Sequence, residues 1–194
     1  MRLTERFEDA LVFAAQVHAN QARKRRDVPY VSHLLITAGT VIEAGGDEDV
    51  VIAALLHDAA EDQGGQVRLD EIRVRFGDRV ADLVGSSSDS LAADATMKEP
   101  WKVRKLAYLD HLREAGSADV HLIGVADKLA NARSMITDIE SDGVAAMASF
   151  AGGIEGTLWY YRCVIEILKA GPIADSPLVT ELELATDRLA LLLG

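Results

Sequence analysis

The sequence predicts an all-α helical bundle, and three observations point there. Ala and Leu are abundant, aromatics make up 5% of the chain and proline occurs four times, a composition that favours helices over a sandwich or barrel. Apolar residues recur every three or four positions in one segment after another. Gly and Pro punctuate those segments where helices would end. With 194 residues, 49% of them hydrophobic, one core can close around a single domain over 1–194, its main motifs in about 10–140 and further helices in 141–194. No internal repeat interrupts the pattern.

Thr4 can cap a first helix in which Phe7, Ala10, Leu11, Ala14, Ala15 and His18 share helical spacing. A basic loop, "ARKRRDVPY", closes at Pro29, whose ring fixes φ and restricts Val28. The spacing next predicts a helix over about 32–44, stopped by Gly45-Gly46. Asp47 can cap a third helix that carries "VIAALLHDAAED" (51–62) and frays at Gly64-Gly65. Short helices are expected at 69–76 and 78–84. "GSSSDSLAADAT" (85–96) lacks periodicity and reads as a mobile surface loop, overlapping the 86–99 region. Pro100 then opens a helix striped by Val103, Leu106, Leu109 and Leu112 and ended by Gly116. "ADVHLIGVADKLANARSMI" is another, apolar almost throughout before its charges. Residues 141–170 form one long helix or two short ones divided near Gly152-Gly153, and "SPLVTELELATDRLALLLG" a final amphipathic one.

Thirty-one acidic residues against twenty basic ones give a net charge of −11, which argues against nucleic acid or an anionic membrane as a partner. No apolar run approaches the roughly 20 residues of a membrane span, and "MRLTERFEDALVFAAQ" is charged too early for a signal peptide. Cys163 stands alone, so neither an intramolecular disulfide nor a thiolate metal cage can form. The expectation is a soluble, cytoplasmic protein.

The chemistry concentrates where apolar runs end in acids. Burying an ionised carboxylate without a partner costs several kcal/mol or more, so His57, Asp58, Glu61 and Asp62 at the end of Val51 to Leu56 require compensation. A metal ion supplies it. Adjacent helical residues point about 100° apart, so His57 and Asp58 can share an ion only at a helix end or corner, with help from elsewhere. Asp127 repeats the pattern in "HLIGVADKLANARS" and is the best distant ligand; His33, after "PYVS", offers a second imidazole. His33, His57, Asp58 and Asp127 make a mixed N/O set, which suits Mn²⁺ or Fe²⁺ best, with Zn²⁺ open as well. Glu61 or Asp62 can accept a proton from an attacking water, and "ARKRR" supplies cations to an anionic substrate.

"HANQARKRRDVPYVSH", "AALLHDAAED" and "VADKLANARS" together resemble the HD-domain metal phosphohydrolases, in particular the small alarmone hydrolase branch related to the hydrolase domain of Rel/SpoT proteins. The resemblance covers about residues 10–140. It implies that His33, His57, Asp58 and Asp127 hold the metal, typically Mn²⁺. Glu61 and Asp62 would position or deprotonate the water, Arg23 and Lys24 would meet the nucleotide, and Asn131 and Ser134 would contact the nucleoside. The implied reaction removes the 3′-pyrophosphate of guanosine tetra- or pentaphosphate. Two departures stand out: Leu34 replaces a common proline, and "SSSDS" a more usual Thr-Asp pattern. The chain ends before any synthetase segment, so a stand-alone hydrolase is expected.

Other readings accompany these. Another HD phosphohydrolase would act on a different purine nucleotide or on NADPH. A binding module would be an antitoxin-like partner of an alarmone synthetase, although the Glu61-Asp62 pair has no use in sensing alone. A homo-oligomer stays open. Lys105 in "WKVRK" suits a phosphate or a helix surface equally. Arg25 and Arg26 read as surface, His18 as a core or supporting residue, His111 and His121 as structural, the aromatics of "LWYYR" as core, and Cys163 as a small buried hydrophobe.

Overall fold

A computed structural model describes residues 2–23, 27–92 and 97–194. Lys24, Arg25 and Arg26, expected in the basic loop, lie outside the described residues. Among those that are described every regular element is a helix, as the composition predicted, and the chain divides into two compact units, Met1–Pro100 and Trp101–Gly194.

The first unit holds α1 (Glu5–Val17), α2 (Val31–Glu43), α3 (Glu48–Leu56), α4 (Ala59–Asp62), α5 (Gly65–Phe76) and α6 (Asp78–Ser87). Its centre is α3. All seven residues from Val50 to Leu56 are buried, so this helix has no solvent face, and α1, α2 and α6 pack around it. Such a helix needs its first turn satisfied from outside the helix. Asp47 does so as expected, its carboxylate accepting from the Val50 N–H, while Thr4 caps α1 through the Arg6 N–H. Between α1 and α2 the chain closes on itself: the Arg23 N–H donates to the Val28 carbonyl at 2.9 Å and the Tyr30 N–H to the Gln21 carbonyl at 2.9 Å.

Two expectations for this unit change. The stretch 51–62 is not one helix: α3 stops at Leu56, Asp58 adopts φ −93° and ψ −5°, and α4 begins at Ala59. The Ala54 carbonyl, at the end of α3, accepts a bond from His57 Nδ1, so side-chain chemistry takes over where regular backbone geometry lapses. The described part of the polar segment after α6, up to Ala92, is tied down and is not a loose surface loop, while 93–96 lie outside the described residues. Asp89 N–H reaches Glu61, the Leu91 carbonyl accepts from the Gln66 N–H, and residues 85–92 are half-buried.

The second unit holds α7 (Trp101–Ala115), α8 (Ala118–Asp142), a 3₁₀ helix (Val144–Ser149), α9 (Gly153–Lys169) and α10 (Pro177–Leu193). Here α8 is central, packed on α10, and Gly143 ends it with φ +72°. The expected division near Gly152-Gly153 is present. Gly152 is required there, because a Cβ on it would come within 2.6 Å of the Trp101 ring. Tyr160 and Tyr161 are core residues as expected; Cys163 is only half-buried. No helix among the described residues is long and apolar enough to cross a membrane.

Candidate metal centre

The buried α3 delivers His57 at its C-terminal end, and His33 comes from the first turn of α2. Both imidazoles are 2% exposed. His57 Nδ1 lies 2.8 Å from the Ala54 carbonyl, which can only accept, so Nδ1 carries a proton and the bond turns Nε2 to the opposite side of the ring. Nε2 faces His33 Nε2 at 3.3 Å and Asp58 Oδ2 at 3.0 Å, and His33 Nε2 is 3.5 Å from the same oxygen. Tyr30 donates its hydroxyl proton to Asp58 Oδ2 at 2.6 Å, fixing the carboxylate's orientation.

These groups fit a divalent cation. One donor atom from each of His33, His57 and Asp58 lies within 4.8 Å of the other two. Neighbouring ligands of an octahedral ion with bonds of about 2.1 Å sit about 3 Å apart, and the three separations are of that size. With Nδ1 engaged by the Ala54 carbonyl, His57 turns Nε2 toward the same point as His33 Nε2 and the Asp58 carboxylate. The Ala54 bond is the kind of outer contact that orients a metal-binding imidazole.

Glu61 and Asp62 follow on α4. Glu61 Oε2 accepts the Asp89 N–H at 3.0 Å, and Lys98 Nζ stands 3.5 Å from Oε1. Burial, then the charges of Asp89 and Asp58, push Glu61 up to about 7. Burial and the Asp58 charge also raise Asp62, which accepts from Gln21 Nε2 at 2.7 Å. The Arg23 guanidinium lies 5.7 Å from the centre of the Tyr30 ring, at the edge of this cluster, and Lys24 is outside the described residues.

In the second unit Asp127 is 7% exposed and pairs with Lys128, while Asn131 Nδ2 donates to its other oxygen at 2.6 Å. Burial works against the Lys128 charge, but Asp127, Tyr108 and Tyr160 outweigh it and hold the ammonium protonated well above the usual range. Ser134 is half-buried on the same helix, and Lys105 is half-buried on α7 with Nζ 5.0 Å from the Tyr160 ring centre. The first unit thus gathers His33, His57 and Asp58 with Glu61 and Asp62 beside them; the second gathers Asp127 and Asn131.

Three participants escaped the sequence reading: Tyr30, Gln21 and Lys98. Tyr30 stands three residues before His33 and Gln21 three after His18, a spacing that flags neighbours in a turn but names no partner. His18 does support the site: its ring stacks on Tyr30 with centres 5.2 Å apart. His121 is structural, its Nε2 bonded to the Leu112 carbonyl at 2.8 Å.

Residues 10–151 match the model of the HD domain. The guanosine-3′,5′-bis(diphosphate) 3′-pyrophosphohydrolase of Aquifex aeolicus is 34% identical over 131 residues, which is 68% of this chain and 18% of that protein. The protein of Drosophila melanogaster called guanosine-3′,5′-bis(diphosphate) 3′-pyrophosphohydrolase MESH1 is 31% identical over 134 residues, 67% of this chain and 69% of its own. Among solved structures, a metazoan ortholog of SpoT described as hydrolysing ppGpp, with a role in starvation responses, superposes with a TM-score of 0.78 at 25% identity, over 99% of each chain. The chain spans 18%, 15% and 10% of the first three curated relatives, less than a fifth of each, and about two thirds of the fruit-fly protein. With the matched segment covering more than half its length and the paired His57-Asp58 at its centre, the chain belongs to the HD-domain family.

Proposed function

We propose that this protein hydrolyses the 3′-pyrophosphate of guanosine tetra- or pentaphosphate, releasing pyrophosphate and leaving GDP or GTP. The observation that carries the proposal is the convergence of His33, His57 and Asp58 on one point in a chain whose relatives bear that activity in their names. The HD family implies a divalent metal. His33, His57 and Asp58 would hold it, with Asp127 as the fourth ligand and Mn²⁺ as the ion. Bound there, such an ion lowers the pKa of water and polarises a phosphoryl oxygen.

The protein's own groups account for the rest. Glu61 or Asp62 receives the proton of the attacking water and the other positions it, and a side chain that titrates near 7 can both take up and return a proton at neutral pH. The water oxygen forms a bond to the phosphorus nearest the ribose, the bond from that phosphorus to the 3′-oxygen breaks, and a proton ends on the 3′-oxygen. Arg23 and Lys24 offset substrate charge that the net −11 of the chain would otherwise repel. Asn131 and Ser134 contact the nucleoside, and Lys105 takes a distal phosphate.

The test is a product analysis. Protein loaded with Mn²⁺ is incubated with guanosine tetraphosphate, guanosine pentaphosphate, NADPH and purine nucleoside monophosphates. Pyrophosphate from the first two is the expected result; orthophosphate from NADPH or a monophosphate would move the protein to a different HD phosphohydrolase class. Binding without any product would make it a nucleotide-binding module. Replacing Glu61→Gln together with Asp62→Asn should keep metal and nucleotide binding and abolish turnover.

A further inference from the structure

The Gln21 side chain makes three directed bonds. Its Oε1 accepts from His18 Nδ1 at 2.7 Å and from Gln63 Nε2 at 2.8 Å, and its Nε2 donates to Asp62 Oδ2 at 2.7 Å. The amide can stand only one way round. Reversing it would aim an oxygen at the Asp62 carboxylate and leave two lone-pair groups in contact. The backbone is held as firmly, since the Gln21 N–H donates to the His18 carbonyl at 3.0 Å and its carbonyl accepts from Tyr30. His18 is 2% exposed, its ring stacked on Tyr30, and burial keeps it neutral, so it serves here as an Nδ1–H donor.

We propose that Gln21 is a positioning residue of the hydrolytic site: its amide orients the Asp62 carboxylate, and His18 and Gln63 orient the amide. The inference rests on the reading that Asp62 handles the attacking water. It explains why the Asp62 carboxylate, on a four-residue helix, has a fixed direction: the bond to Gln21 spans 41 positions and binds α4 to the turn after α1. Displacing a reacting group by about 1 Å can cost on the order of 100-fold in rate, so an unheld Asp62 would show in kcat before it showed in binding.

A double-mutant cycle tests it. Gln21→Met keeps the length of the side chain and removes both bonding directions. It should lower kcat about 10- to 100-fold with KM within about twofold and with metal content unchanged. In an Asp62→Asn background the same change should have little effect, because the group it positions is already gone. An equal loss in both backgrounds, or a loss carried by KM, would overturn the proposal, since a purely structural role ignores the state of Asp62. Gln63→Met, at a half-buried position, is the second variant if Gln21→Met folds poorly. It should lower kcat about two- to fivefold in the wild-type background alone, and an unchanged kcat would count against the inference. An Asp62→Asn variant that turns over at the wild-type rate would remove the assignment of Asp62 itself, whereas an impaired Asp62→Asn with an additive cycle would remove only Gln21.

Discussion

Asp58 and Asp127 each follow an apolar helical run, and the fold answers their charges differently. Asp58 sits at a break between two helices, facing two imidazole nitrogens and a tyrosine hydroxyl. Asp127 lies inside an unbroken helix of 25 residues and faces the ammonium of its neighbour Lys128 and the amide of Asn131. The first arrangement offers two ring nitrogens and a carboxylate oxygen to a cation brought from solution. A buried ammonium already cancels the carboxylate's charge in the second. The same signal in the sequence therefore marks two electrostatic situations.

The largest expected effect separates them by metal content. His57→Ala should lose the bound metal and lower turnover by about 1,000-fold or more, checked by elemental analysis and initial rates. Asp127→Asn should do likewise if Asp127 is a ligand. A full metal complement in Asp127→Asn would remove it from the ligand set and leave its pairing with Lys128 as its role.

Next comes the pair in the second unit. Lys128→Met leaves Asp127 with a buried, uncompensated charge, and should cost about 3–5 kcal/mol in urea unfolding, most of it recovered in the Asp127→Asn, Lys128→Met double variant. If Asp127 binds metal, adding the ion should rescue the single variant; without rescue the ion pair is self-sufficient.

Glu61 provides a pH test of the first unit without metal. Its value rises from 4.5 to about 7 on folding. The native protein thus holds a proton that the unfolded chain releases, so stability from this group is greatest below 4.5, declines as pH climbs to about 7, and is level above. The decline should amount to roughly 3 kcal/mol. Glu61→Gln should flatten it, as read from melting temperatures across that range; an unaltered slope would place the titration elsewhere.

The smallest effect compares the starts of the two central helices. Asp47→Ala should cost about 1 kcal/mol, because its carboxylate caps α3. Ser117→Ala should change stability by no more than a few tenths of a kcal/mol, since Ser117 makes no side-chain capping bond to α8.

Much of this could be read in the chain beforehand, for reasons that differ by residue. Thr4 and Asp47 act within a turn of their own position, so their types suffice to announce helix starts, whereas Gly143 ends α8 inside the stretch 141–170 that read as helical. His57 and Asp58 were legible because charge at the end of so apolar a run demands an explanation. The break between α3 and α4 was not, since 51–62 holds neither Gly nor Pro to mark it. Nor were Tyr30 and Gln21, ordinary polar residues whose importance comes from what they touch. The segment after α6 looked loose because the Asp89 bond to Glu61 uses a backbone N–H, which every residue there but proline could offer.

The order of helices, their caps, the apolar character of α3 and the stock of imidazoles and carboxylates belong to the sequence alone, since each depends on residues a few positions apart. Which of those groups meet was decided by packing. His33 and His57 are 24 positions apart and Gln21 and Asp62 are 41, yet each pair touches because the buried helix and the turns around it bring those side chains together. Hydrogen bonds and metal-ligand distances tolerate errors of only a few tenths of an ångström, and only a packed core holds distant parts of a chain to that accuracy.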